Sequence, residues 1–180
     1  MILFLASVFY AEASEKNIKI LPEKVIQGEP LMVVIEGVKN VSAVKKMTFG
    51  GQPVGIFTYQ GKPTALIGMD LRKKAGNYEL VTQFSDGQSI KEIVSVGGRE
   101  KIEAPLGIPQ KLGGDTKENQ DKLVNTLAEE NKSLANIRTG KKAFWTEKFI
   151  YPLSQIVVTD NYGYSRKTGE YSIAHKGMDF

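Results

Sequence analysis

The sequence predicts a mainly β protein, in which a β-sandwich is followed by a helix and a second, shorter β-rich segment. Seven short runs rich in Val, Ile, Phe and Tyr alternate with Gly and Pro between residues 14 and 98, a pattern typical of a sandwich. A polar stretch with one helical pattern comes next, and aromatic-rich runs return after residue 143. The hydrophobic fraction of 41% and the charged fraction of 24% are ordinary for a soluble globular chain.

Residues 1–13 predict a signal peptide. The first ten are almost entirely apolar, and Ala11-Glu12-Ala13 matches the small-x-small pattern that a signal peptidase accepts. The run is too short to cross a bilayer, which needs ~20 apolar residues; the alternative is a buried first strand. No Lys or Arg precedes the run, so we expect the true start to lie upstream. The prediction is export to the periplasm, cell envelope or extracellular space, with no stable membrane span after leader removal.

The sandwich is predicted over residues 14–98. Its seven expected strands are residues 18–21, 31–35, 44–49, 54–59, 65–69, 78–84 and 89–96. In the sixth, alternation places Tyr78, Leu80 and Phe84 on one face. The Gly76-Asn77-Tyr78 segment resembles the start of the sixth strand of immunoglobulin-like domains, where a tyrosine forms a corner. We therefore expect an immunoglobulin-like sandwich that serves as a spacer, a positioner or a binding surface.

Two residue counts and the charge limit the possible functions. The chain has no cysteine, which excludes disulfides, thiol catalysis and thiolate zinc sites. It has a single histidine, His175. The net charge is +4, with Lys and Arg spread along the chain, whereas a nucleic-acid surface typically gathers them on one face. We expect no nucleic-acid partner, and the oligomeric state is left open.

Residues 99–143 predict a linker that contains one helix. Pro105, Pro109 and Gly113-Gly114 interrupt its first half. Asp115 or Thr116 is a suitable N-cap for a helix over about residues 116–138. Its apolar positions keep helical spacing and predict one buried stripe. These positions are Leu123, Val124, Leu127, Leu134 and Ile137.

Residues 144–180 contain the residues best suited to chemistry. His175 and Asp179 are four apart, with Gly177 between them to permit a tight backbone. Neutral imidazole and carboxylate are good zinc ligands. On spacing alone this His-x-Gly-x-Asp pattern is a weak signal, and a surface hydrogen bond is the more frequent explanation.

The surroundings of this pattern resemble the start of the catalytic domain in lysostaphin-type (LytM-like) zinc endopeptidases of peptidoglycan. That family opens with Trp and Phe before a Pro-containing strand, followed by a Phe-Gly-x-Arg-like segment and a His-x-Gly-x-Asp motif. The counterparts here are Trp145, Phe149, Pro152, Gly163, Arg166, His175, Gly177 and Asp179. Tyr162 replaces the usual Phe.

The resemblance implies a secreted zinc endopeptidase that cleaves peptide bonds in peptidoglycan, with His175 and Asp179 as the first two zinc ligands. Arg166 would contact substrate or a carboxylate of the domain, and a surface arginine is an equally good interpretation. The family completes its site with a later His-x-His motif, which these 180 residues lack. We therefore expect residues 144–180 to be the first part of a truncated catalytic domain and the coding sequence to continue.

As it stands, the chain is expected to bind zinc weakly and to hydrolyse nothing. Glu147, Asp160 and Glu170 are further carboxylates, but no spacing assigns them to a metal. One alternative is a non-enzymatic envelope protein whose sandwich binds a wall polymer or a protein while the metal motif is vestigial. Another is an adhesin-like sandwich with a chance motif, which leaves the residues from Trp145 to Arg166 unexplained.

Overall fold

The computed structural model describes residues 15–137, 142–145 and 147–180; the predicted leader, residues 1–13, lies outside them. The described chain is mainly β, which confirms the predicted fold class. Its strands are β1 (Asn17–Leu21), β2 (Val25–Ile26), β3 (Pro30–Glu36), β4 (Val44–Phe49), β5 (Gln52–Pro53), β6 (Ile56–Tyr59), β7 (Lys62–Gly68), β8 (Gly76–Phe84), β9 (Ser89–Gly97), β10 (Glu103–Pro105), β11 (Ser165–Thr168) and β12 (Tyr171–Ala174). The α-helix α1 spans Lys117–Ala135, and short 3₁₀ turns lie at Val41–Ala43 and Gln110–Leu112.

Nine of these strands form two packed sheets. The order is β1-β3-β7-β6 in one sheet and β2-β9-β8-β4-β5 in the other. Neighbours pair antiparallel except β2, which runs parallel to β9. Four strands facing a sheet built around β9, β8 and β4 is the arrangement of an immunoglobulin-like sandwich.

One hydrophobic core lies between the two sheets. Leu31, Val33 and Ile35 alternate inward along β3 and are fully buried. Leu80 and Phe84 come inward from β8 in the same way. This period of two is the pleat of a strand with one buried face, so alternation in the sequence was sufficient to locate the core.

Tyr78 forms the predicted corner at the start of β8. Its hydroxyl donates a 2.6 Å hydrogen bond to the carbonyl of Lys74, four residues upstream, and its ring packs on Phe49 at 5.5 Å between centroids. A tyrosine in this position that bonds back to upstream backbone is characteristic of immunoglobulin-like domains. Tyr78 therefore has a structural role here.

A third sheet, in the order β10-β11-β12, lies outside the sandwich. β11 and β12 form an antiparallel hairpin, and β10 runs parallel to β11, with Ala104 opposite Arg166. The sequence predicted an irregular linker at β10. The difference arises because β10 is only three residues long and its partner lies about sixty residues away, so no local pattern marks it.

Helix α1 begins after Thr116, whose hydroxyl accepts a 3.3 Å hydrogen bond from the backbone N–H of Asn119. The helix ends at Ala135, three residues short of the predicted end, which itself lies outside the described residues. The expected buried stripe is only partly formed: Leu134 and Ile137 are 62% and 63% exposed. The helix instead docks through polar contacts, such as the 2.5 Å bond from the Tyr171 hydroxyl to Asp121. Within the described chain, no helix is both long and apolar enough to cross a membrane.

Candidate metal centre

The backbone around Asp179 is paired with a segment nearly twenty residues upstream. Asp160 and Asp179 form an antiparallel bridge. The N–H of Asp179 donates to the carbonyl of Asp160 at 3.0 Å, and the N–H of Thr159 donates to the carbonyl of Asp179 at 2.9 Å. Two reciprocal hydrogen bonds fix the direction of Asp179, and they bring Asp160 directly alongside it.

His175 follows β12 and is held by the loop before β11. Its N–H donates to the carbonyl of Tyr164, and its carbonyl accepts from the N–H of Gly163, both at 2.8 Å. Gly163 has φ +87°, and a Cβ there would lie 2.9 Å from Cδ of Arg99. This left-handed, closely packed position favours glycine, which gives a local reason for the glycine of the Tyr162-Gly163 pair.

The side chains of His175 and Asp179 converge. Nε2 of His175 lies 3.4 Å from Oδ1 of Asp179. Zinc binds imidazole nitrogen and carboxylate oxygen at about 2.0–2.2 Å, so two ligands of a tetrahedral ion lie about 3.4 Å apart. Asp179 is exposed and His175 is half-buried, which leaves the pair accessible from solvent. The spacing and the donor atoms both suit a zinc ion.

The other imidazole nitrogen of His175 faces the backbone. Nδ1 lies 3.0 Å from the carbonyl oxygen of Asn161. A carbonyl only accepts hydrogen bonds, so a neutral imidazole bonded in this way carries its proton on Nδ1 and presents a lone pair at Nε2. Metal-binding histidines are commonly oriented by such a bond from their second nitrogen.

Asp160 is the residue of this centre that sequence reasoning did not assign. It is only 7% exposed. Its Oδ1 accepts from the N–H of Asn161 at 3.0 Å, while its Oδ2 lies 3.7 Å from Nδ1 of His175. One ligand atom each from Asp160, His175 and Asp179 lies within 4.8 Å of the other two. The other carboxylates considered, Glu147 and Glu170, are not part of this cluster.

Arg166, predicted to contact substrate or a carboxylate, contacts a carboxylate. Its Nε lies 3.2 Å from Oδ2 of Asp160, and the Arg166 side chain is 25% exposed. β11 places it there, with Ala104 and Ile173 as its neighbours across the sheet. The substrate contact stays a prediction.

Two aromatic residues of the resemblance, Trp145 and Phe149, pack at the sandwich and not in the candidate metal cluster. Trp145 packs on the edge strand of the sandwich, 6.5 Å from Phe57 and 6.1 Å from Tyr59 between ring centroids. Phe149 stacks on Trp145 at 6.0 Å and is 84% exposed. These aromatics hold the segment before the centre against the sandwich.

A groove of about 570 Å³ separates the centre from the sandwich. Tyr162 crosses it: the hydroxyl donates a 2.9 Å bond to the carbonyl of Gly28, and the guanidinium of Arg99 lies 5.4 Å from the centroid of the Tyr162 ring. Arg99 is fixed in turn by a 2.7 Å bond from Nε to the carbonyl of Gln27. The loop that orients His175 therefore contacts the sandwich through Tyr162.

No protein-family model matches the chain, and no curated protein matches it. Among solved structures, the chain is similar to SGBP-B of the Bacteroides ovatus mixed-linkage glucan utilization locus, determined in complex with a mixed-linkage heptasaccharide. The identity is 15% and the TM-score is 0.32, and the match covers 55% of this chain and 27% of the other. A likeness this distant does not bear on function.

Proposed function

We propose that the chain is part of a secreted zinc-dependent endopeptidase that cleaves peptide bonds in peptidoglycan, with His175 and Asp179 as two of its zinc ligands. The observation that carries the proposal is the 3.4 Å separation of Nε2 of His175 from Oδ1 of Asp179. Its support is geometric and chemical: the donor atoms suit zinc, and their spacing suits two corners of a tetrahedral site.

The residues of the chain have separate tasks in this proposal. The carbonyl of Asn161 holds the Nδ1 proton of His175, so that Nε2 is available to the metal. Asp179, which is exposed to solvent, supplies a negatively charged ligand on the solvent side of the centre. Arg166 neutralises the buried carboxylate of Asp160, as a charge removed from water requires. When bound, zinc acts as a Lewis acid on the scissile carbonyl and activates a water molecule.

A catalytic zinc needs three protein ligands and an open position. The 180 residues contain one histidine, and the second carboxylate of the cluster, Asp160, is paired with Arg166. We therefore propose that these residues alone bind zinc weakly and do not hydrolyse peptide bonds. Release of peptides from peptidoglycan by the purified 180-residue chain would contradict this part of the proposal.

The coding DNA beyond the codon for Phe180 gives the direct test. The proposal predicts an open reading frame that contains a His-x-His motif. The product of that frame, incubated with purified peptidoglycan and zinc, should release fragments with new peptide amino termini, and His175→Ala and Asp179→Ala should abolish the release. Glu170→Gln, a carboxylate change outside the cluster, is the matched control and should leave it unchanged.

A stop codon directly after Phe180 would contradict the proposal. The same holds for a longer product that releases no peptide, or one whose His175→Ala variant is as active as the unaltered protein. In those cases the non-enzymatic envelope protein, with a binding sandwich and a vestigial metal motif, becomes the better account.

A further inference from the structure

Asp160 is buried beside the metal centre and has a defined set of partners. Its carboxylate accepts from the N–H of Asn161 at 3.0 Å and forms an ion pair with Arg166, whose Nε lies 3.2 Å from Oδ2. Its backbone carbonyl accepts from the N–H of Asp179 at 3.0 Å. A carboxylate that is 7% exposed keeps its charge only with such partners. These three contacts, with Asn161, Arg166 and Asp179, hold the Asp160–Asn161 turn in place.

That turn presents two acceptor groups to His175. The carbonyl of Asn161 lies 3.0 Å from Nδ1, while the carboxylate oxygen of Asp160 is farther away, at 3.7 Å. Both groups are acceptors, and both favour a proton on Nδ1. Asp179 faces Nε2 and is an acceptor as well, but its separation of 3.4 Å from Nε2 is longer than the 3.0 Å between Nδ1 and the Asn161 carbonyl, so the proton is favoured on Nδ1. The arrangement selects one of the two neutral tautomers of the imidazole.

We propose that Asp160 is a positioning residue: by holding the Asp160–Asn161 turn, it keeps His175 in the Nδ1–H tautomer with Nε2 directed at Asp179. The benefit for zinc rests on the proposed function, whereas the tautomer itself does not. Asp160 is assigned a role through His175 and not that of a ligand, because its Oδ1 accepts from Asn161 and its Oδ2 is ion-paired with Arg166. Partners of this kind typically change metal affinity by about 10- to 100-fold when they are removed.

The single histidine of the chain makes the tautomer directly observable. In a long-range ¹H–¹⁵N correlation spectrum every imidazole signal belongs to His175. At about pH 9, where a histidine side chain is ordinarily neutral, the metal-free chain should show a protonated Nδ1 and an unprotonated Nε2. Asp160→Ala should shift the signals towards a mixture of tautomers or towards the Nε2–H form. Asp160→Asn, which keeps an acceptor for the Asn161 N–H but loses the charge, should give a smaller shift and covers the case in which the alanine variant does not fold.

Asp115→Asn is the matched control. Asp115 accepts from the hydroxyl of Thr168, in β11, at 3.4 Å but does not belong to the cluster around His175, so its variant should keep the tautomer of the unaltered chain. Thermal unfolding of all the variants measures their general stability. A variant that is only less stable keeps the tautomer of the unaltered chain in its folded fraction, whereas loss of positioning changes the tautomer.

Zinc titrations of the same samples separate this inference from the proposed function. A tautomer change in Asp160→Ala together with zinc binding weakened about 10- to 100-fold supports both. A tautomer change in a chain that binds no zinc even when unaltered supports the positioning role and contradicts the metal assignment. An Nδ1–H tautomer that survives in both Asp160 variants, or an Nε2–H tautomer in the unaltered chain, overturns the inference.

Discussion

The hydroxyl of Tyr162 donates a 2.9 Å hydrogen bond to the carbonyl of Gly28, which lies 134 residues earlier in the chain. The bond joins the turn between β2 and β3 of the sandwich to the loop that orients His175. Arg99 covers the ring of Tyr162 from the sandwich side. The position of the candidate metal centre therefore depends on a contact with the sandwich as well as on its own sheet.

Replacing Tyr162 by Phe tests this contact. The change removes one partly buried hydrogen bond, so the free energy of unfolding should fall by about 1 kcal/mol, as measured by urea denaturation. Tyr151→Phe is the control: this residue is 71% exposed, and the change should stay within about 0.5 kcal/mol. Equal stabilities for the two variants would contradict the contact.

Two buried threonines in the sandwich should respond in opposite directions to the same substitution. Thr64 and Thr82 are both fully buried. Thr64 donates a 3.1 Å bond to the carbonyl of Lys62, whereas Thr82 Oγ1 is a buried polar atom with no hydrogen-bond partner in the described chain. Thr64→Val should lower the free energy of unfolding by about 1 kcal/mol, and Thr82→Val should raise it by a similar amount. Denaturant titrations that show the same sign for both would be inconsistent with these assignments.

The docking of α1 on β12 should weaken in acid. The side-chain hydrogen bonds from Lys117 and then Tyr171 lower the pKa of Asp121 below its ordinary value of 3.8. A carboxyl with a depressed pKa stabilises the folded state fully above its unfolded pKa and loses that contribution as pH falls through the lower, folded value. The contribution is therefore complete at neutral pH, begins to fall below about pH 4 and is lost as pH drops through the lower, folded pKa of Asp121.

Asp121→Asn should reproduce that loss at neutral pH. Hydrogen exchange of the α1 amides should become faster in the variant, because local opening of the helix no longer breaks these bonds. Glu129→Gln, an exposed change on the same helix, should leave the exchange rates as they are. Unchanged exchange in Asp121→Asn would show that α1 is held by other contacts.

Much of the sandwich was predictable because its information is local. β3 and β8 alternate buried and exposed residues as the pleat requires, and the turn glycines mark where they end. Among the strands that escaped prediction, β2 and β10 are two and three residues long and pair parallel with distant segments. Strands this short carry too few residues to establish a period.

In the candidate metal centre, too, the residues marked by local sequence were predicted and those brought in by distant contacts were not. His175 and Asp179 were singled out by a spacing of four with a glycine between them, a weak signal alone, and were assigned as ligands through the family resemblance of the surrounding residues; both are local information. Asp160 was not assigned, because only the antiparallel bridge between Asp160 and Asp179 brings it into the centre. The hydrogen bond between Nδ1 of His175 and Asn161 could not be predicted from the sequence either. Its acceptor is a backbone carbonyl, which any residue type would supply.

Zinc titration of the 180-residue chain, followed through the imidazole signals of His175, is the most direct test of the central claim. We predict weak one-site binding that shifts Nε2, with affinity at least about tenfold lower in Asp179→Ala. In His175→Ala, calorimetry should show a loss at least as large. Glu170→Gln should bind zinc as the unaltered chain does. Signals of His175 that zinc leaves unmoved, or equal affinities for the unaltered chain and the two ligand variants, would contradict the claim that His175 and Asp179 hold a metal.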